Sequence, residues 1–255
     1  MLNHFPRSNV IYAHHKRDYY IAFITFMGVA VCLLGDATAT LAEQHTLGIY
    51  GWIILCGLLL GENKEVRVQV AIAILFATLG EHFASPYMGG YTYRFENVPA
   101  YVPPGHGMVY LTAVALARSG LFLNHARRIA ILVIALCGLW SLWGISGFAQ
   151  QDDWIGAILF CFFVISLFKG RSPLVYLAAF FITTWLELIG TGVGTWHWAE
   201  IDPVLHLPQG NPPSGVAAWY CLVDAVAIGG APHVLNAASQ LRLWCKIRKI
   251  VYGEK

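Results

Sequence analysis

The stretch PLVYLAAFFITTWLELIGTG, residues 173–192, decides the fold. It carries one charged residue, Glu187, and a helix needs about 20 mostly apolar residues to cross the hydrocarbon core of a bilayer. Seven further segments read the same way: 19–42, 46–61, 66–85, 105–121, 127–148, 153–168 and 214–235. Composition agrees, since 57% of the 255 residues are hydrophobic and 12% are charged, whereas a soluble domain carries about 25% charged residues. The expected fold class is therefore an all-α integral membrane protein with eight transmembrane helices. Its basic residues lie in short connections rather than in a patch suited to nucleic acid.

Those connections set the orientation, because Lys and Arg are retained on the cytoplasmic side. Arg7, Lys16 and Arg17 precede the first segment, and Lys64 and Arg67 follow the second. Arg118, Arg127 and Arg128 lie at the fourth connection, Lys169 and Arg171 at the sixth, and Arg242, Lys246, Arg248 and Lys249 after the eighth. The alternate connections, around Glu43, Arg94, Asp152 and Glu200, are acidic or nearly free of Lys and Arg. Both termini are then cytoplasmic, the long connections 86–104 and 193–213 are periplasmic, and the location expected is a bacterial inner membrane. His15-Lys16-Arg17 before an apolar run has the look of a secretory signal, but 19–42 is long enough to span, so a retained first helix is expected. Five of the six cysteines lie in apolar runs without C-x-x-C spacing and read as small hydrophobes.

The two long connections resemble each other. The first runs from Glu81-His82 through Gly90-Tyr91-Thr92-Tyr93 to Pro103-Pro104-Gly105-His106, and the second from Glu187 through Gly194-Thr195-Trp196-His197-Trp198 to Pro212-Pro213-Ser214-Gly215. The glutamates are offset by 106 positions and the proline pairs by 109. A duplicated four-helix unit produces such an offset, and because four is even the copies share orientation as a parallel repeat. The chain accordingly divides into a basic arm (1–18), a first repeat (19–121), a second repeat (122–235) and a basic tail (236–255).

An acid at membrane depth is costly unless it is neutral, paired or facing a wet cavity, which marks Glu81, Glu187 and the deeper Asp224 as candidate catalytic groups, with His82 in support. The plainer alternative is that each glutamate caps the loop that follows it. Tyr91, Tyr93, Trp196 and Trp198, with His106, His197 and Asp36, are candidate substrate-binding residues; aromatic residues also populate membrane interfaces, or present π faces that stabilise a cation. His82, His106, His197 and His206 all fall on the periplasmic side, yet they lack the i, i+3 or i+4 pairing of a metal motif, so no metal is expected. The two long loops are expected to fold back as lids over the bundle.

Glu81 with Gly90-Tyr91-x-Tyr93 and Val98-Pro99, repeated as Glu187 with Gly194-x-Trp196-x-Trp198, resembles the polytopic acyclic-carotenoid hydratase family of bacteria. The resemblance covers the two loops and their flanking helix ends, and departs from the family at Pro103-Pro104-Gly105-His106 and Asn211-Pro212-Pro213-Ser214. It implies a membrane-embedded enzyme that adds water across a terminal isoprenoid double bond without a redox cofactor. The function expected is acid–base chemistry on a lipid-soluble, isoprenoid or carotenoid-like alkene by hydration, cyclisation or isomerisation, with membrane lipids as surroundings and no nucleic-acid partner. A transporter or small-molecule binding protein, and a metal- or pigment-binding accessory subunit of a larger membrane complex, are the alternatives. The topology is checked with reporter fusions: those after Glu62, Leu121 and Gly170 should report cytoplasm, and those within 86–104 and 193–213 should report periplasm. One inverted loop would remove the four-plus-four arrangement.

Overall fold

A computed structural model describes residues 16–252, with side chains described as far as Leu241 and at Trp244. The arm before Lys16, and the side chains of Arg242, Lys246, Arg248 and Lys249, lie outside the described residues. Eight α-helices are present: α1 (Lys16–Asp36), α2 (Leu41–Leu59), α3 (Lys64–His82), α4 (Val102–Ala117), α5 (Gly120–Gly144), α6 (Trp154–Lys169), α7 (Pro173–Gly192) and α8 (Ala217–Tyr252). Five of them, α1, α3, α5, α7 and α8, are long and apolar enough to cross a membrane. Their outward faces carry large apolar side chains, with Phe23, Val31, Leu75 and Leu139 between 63% and 70% exposed, as suits a lipid-facing surface rather than an aqueous one.

Local chemistry explains where the helices begin. Thr40 and Glu43 form a reciprocal capping box on α2, and the side chains of Asn63, Ser119 and Asp153 cap α3, α5 and α6. Pro103-Pro104 and Pro173 occupy first turns, where a missing N–H costs nothing. The α7 boundaries coincide with the apolar segment 173–192. By contrast, α8 runs on through the expected tail to Tyr252, making a rod about 54 Å long at 1.5 Å per residue. A π-helical turn, Phe83–Tyr87, ends α3 at Pro86.

Four helices make the centre: α3 packs on α4 and α8, and α7 packs on the same two. The outer helices are arranged less evenly, with α1 against α4 and α7, and α5 against α6 and α7. At the end that holds α3's C-terminus, two short strands pair antiparallel, β1 (Tyr91–Tyr93) and β2 (Trp196–Trp198), in the register Tyr91↔Trp198, Thr92↔His197, Tyr93↔Trp196. The two long loops are therefore joined to each other, and Gln209 extends the join by donating to the Gly90 carbonyl. Asp153 braces the second loop: its carboxylate accepts from the backbone N–H groups of Gly156, Gly210 and Ser214. Gly156 has no room for a side chain there, since a Cβ would sit 2.4 Å from the Ser214 nitrogen.

The opposite end is closed by ions. Arg118 donates to Asp18 at 2.5 and 2.9 Å and to Glu62 at 2.7 and 3.2 Å, while Arg17 pairs with Glu62 from the other side. This ties the starts of α1 and α3 to the end of α4. Burial raises the Glu62 carboxyl, but the hydrogen bonds and charges of Arg118 and then Arg17 outweigh it and hold it below its ordinary value of 4.5. A carboxyl lowered in the folded state stabilises fully above its unfolded value and loses that contribution as pH falls through its lower folded value. Thermal unfolding in detergent should therefore drop in temperature below about pH 4.5, and Glu62→Gln should remove that acid limb. The same substitution should cost about 2 kcal/mol at neutral pH, less than a fully buried pair because both arginines are about a third exposed.

Candidate active site

The strand pairing builds the candidate active site. Side chains alternate across a strand, so Tyr91, Tyr93, Trp196 and Trp198 turn inward while Thr92 and His197 are exposed. Glu81, in the last turn of α3, and Glu187, in the last turns of α7, reach the inward face. Tyr91 and Tyr93 both donate their hydroxyls to Glu81 Oε2, at 2.5 and 2.8 Å. Trp196 and Trp198 both donate their indole N–H groups to Glu187 Oε2, at 3.0 and 3.1 Å. Each helix-end glutamate is thus held by the aromatic-x-aromatic strand that follows it in the chain.

Pairing of the strands brings the two clasps together. The Tyr91 and Trp198 ring centroids are 4.7 Å apart, and Tyr93 meets Trp196 edge-on at 5.9 Å. Burial and then the Glu81 charge push the Tyr91 and Tyr93 hydroxyls above their ordinary value, so both stay protonated and act as donors. The surroundings are apolar, formed by Val29, Leu33, Ile182 and Val216 among others, so an ungripped carboxylate would be costly there.

The two acids differ in their partners. Glu81 Oε1 receives His106 Nε2 at 2.9 Å, and His106 Nδ1 lies 3.3 Å from the Tyr220 hydroxyl. With Tyr220 donating to Nδ1, the ring carries its proton on Nε2 and gives that hydrogen bond to Glu81, so Glu81 accepts at both oxygens and suits the ionised state. Glu187 accepts only two neutral N–H donors, both on Oε2, and its Oε1 accepts no hydrogen bond among the described residues. That oxygen is free to carry a proton. Paired carboxylates in unlike surroundings are the arrangement that separates an acid from a base.

Other expected site residues lie apart from this cluster. His82 follows Glu81 by one residue, which turns it about 100° round the helix; it is exposed and its ring bonds the Thr78 carbonyl. It does not support the glutamates, and His106 stands in the place expected of it. His197 is on the outer strand face against Asn211, and His206 is exposed in the second loop. Asp36 is fully buried in a separate knot, accepting from Gln44 and Tyr101 at 2.9 Å each, where it ties α1 and α2 to the first loop. Asp224 is fully buried one helical turn beyond Tyr220. Among the described residues no three His, Cys, Asp or Glu side chains are grouped as a metal would require.

Sequence reasoning missed Tyr220 as a link to His106, and missed the strand pairing itself. The signal for the pairing was available in the alternation Tyr-Thr-Tyr and Trp-His-Trp, residue types that favour strands. Compared with known proteins, the chain matches no family model, no curated protein and no solved structure.

Gly190 gives the test of this geometry. A Cβ there would lie 1.9–2.3 Å from the Trp196 ring, so Gly190→Ala must displace the indole from Glu187. Overpacking of this kind costs about 1–3 kcal/mol. A lowered melting temperature with a shifted tryptophan emission should follow, and an unchanged spectrum would show that the indole is not held there.

Proposed function

We propose that the chain is a bacterial inner-membrane enzyme that adds water to, or isomerises, a double bond of a lipid-soluble isoprenoid substrate, using Glu187 as acid and Glu81 as base. The observation that carries this reading is the unlike pair: two carboxylates under one aromatic roof, Glu187 buried and Glu81 partly so, one hydrogen-bonded at both oxygens and the other with a free oxygen. The loop motifs' resemblance to carotenoid hydratases points to the same chemistry.

In the proposed reaction, Glu187 Oε1 gives its proton to one alkene carbon. The cation left on the neighbouring carbon is stabilised by the faces of the surrounding Tyr and Trp rings and by the Glu81 charge. A water oxygen bonds to that carbon, and the water's proton passes to Glu81. Transfer of that proton back to Glu187 restores the site, so the sum is alkene plus water giving alcohol. No redox cofactor is required for this balance.

The membrane arrangement proposed with it is eight crossings, with both termini cytoplasmic and the strand pair periplasmic. Supporting it are the alternation of basic connections and the apolar outer faces. A parallel duplication is supported by the matched clasps of Glu81 and Glu187 and by the equivalent packing of α3 and α7 on α4 and α8. Antiparallel pairing of β1 with β2 is what a two-fold axis passing between Thr92 and His197 produces. The unequal settings of α1 and α5 mark where the copies have diverged.

Membranes from cells with and without the chain, compared by mass spectrometry of total lipids, should differ in a lipid pair separated by one water or by a double-bond shift. Glu187→Gln and Glu81→Gln should each lower the rate of conversion by about two to four orders of magnitude while the protein still melts cooperatively. Variants that lose only thermal stability and convert lipid at the normal rate would make the two glutamates structural clasps and end the catalytic reading.

A further inference from the structure

A third carboxylate, unused in the proposed chemistry, lies deeper in the bundle. Asp224 is fully buried in α8, and neither of its oxygens has a hydrogen-bond partner among the described residues. An ionised carboxylate so placed would bear a large desolvation cost, which binding a proton removes. Among the described residues the other acids exposed by 3% or less are gripped: Asp36 by Gln44 and Tyr101, Asp18 by Arg118, Asp153 by three backbone amides. Asp224 therefore has an unmet requirement for a proton or a cation.

Its neighbours favour the proton. Tyr220 precedes Asp224 by four residues, so the two share a face of α8. The Tyr220 hydroxyl reaches His106 Nδ1 at 3.3 Å, and His106 Nε2 reaches Glu81 Oε1 at 2.9 Å. Two further buried phenols, Tyr110 from α4 and Tyr176 from α7, are titratable neighbours of Asp224. The acids on α3 and α7 that bear on Tyr220 are Glu81 and Glu187. The sequence of α6, which also packs on α8, has no charged residue before Lys169. Among the described residues no group of three His, Cys, Asp or Glu side chains surrounds the site as a bound metal would require, and its titratable neighbours include phenols and the Cys221 thiol.

We propose that Asp224 stores a proton for the active site and exchanges it with Glu81 through Tyr220 and His106. Asp224 and Tyr220 are not hydrogen-bonded in the resting structure, so transfer begins with a side-chain rotation that brings the Asp224 carboxyl to the Tyr220 oxygen; the Asp224 proton then moves to that oxygen as the Tyr220 proton moves to His106 Nδ1 and the Nε2 proton moves to Glu81 Oε1. The sum is a carboxylic acid and a carboxylate trading places, with the tyrosine reset and the histidine returned by tautomer exchange. Asp224 acts through these residues and touches no substrate, so it is a proton-supplying residue that rests on the acid–base reading of Glu81.

Infrared spectroscopy of the full chain in nanodiscs, across pH and with no substrate, tests this directly. Wild type should show the C=O stretch of a buried protonated carboxylic acid at neutral pH. Asp224→Asn should remove one C=O component, separate from the one that Glu187→Gln removes, and Tyr220→Phe and Glu81→Gln should each shift the frequency or the titration midpoint of the Asp224 component. A C=O spectrum unchanged by Asp224→Asn overturns the proposal, as does an Asp224 component that ignores both Tyr220→Phe and Glu81→Gln. Disappearance of the Asp224 component when choline chloride is replaced by sodium chloride would make the site a cation site instead. Because no product is measured, a failure of the enzyme reading leaves this band in place, and the two failures are distinguishable.

Discussion

The structure depends on burying two carboxylates at one end of an apolar bundle. A carboxylate in such a place is tolerated only when donors surround it, and no backbone amide is free to serve at the end of an intact helix turn. The donors come instead from the segment that follows: a three-residue strand whose first and third side chains turn back onto the helix it left. Two such strands cannot leave their own ladder groups unpaired near the membrane, so they pair with each other. The clasps of Glu81 and Glu187 therefore fix the strand register, the register fixes the aromatic roof, and the roof fixes where α3 and α7 end.

That dependence explains the contrast between the two ends of the molecule. At the strand end the charges are held by neutral donors and one histidine, and they remain within apolar surroundings. At the other end Asp18, Glu62, Arg17 and Arg118 neutralise one another near the water-facing turns. Ion pairing secures the scaffold there, whereas the strand end keeps a carboxylate oxygen uncommitted. An uncommitted carboxylate oxygen is poor structural material and good acid–base material, and this difference separates a site from a brace.

Much of the architecture was legible in the sequence because helix formation in an apolar chain is a local matter of length, caps and prolines. The run 173–192 matches α7 end to end, and the eight apolar segments each correspond to a helix. Tertiary relations were less accessible. Glu81 and Glu187 were recognisable from their matched positions, but the hydrogen-bond partners of Asp36 lie 8 and 65 residues away, and no local pattern announces that it is a structural knot. His82 was drawn to the site by adjacency to Glu81, although adjacent helical residues point in different directions. Arg118 read as an orientation signal and is in addition the centre of a half-buried ion cluster, which only the folded chain brings together.

The central claim is that water is added to a lipid double bond between Glu187 and Glu81. Membranes bearing the chain can be incubated in water enriched in heavy oxygen and their lipids examined by mass spectrometry. The account predicts a lipid alcohol carrying one heavy oxygen with wild type, and its loss when Glu187 is replaced by glutamine. Lipid profiles that are the same with and without the chain, with no heavy oxygen incorporated, would contradict it.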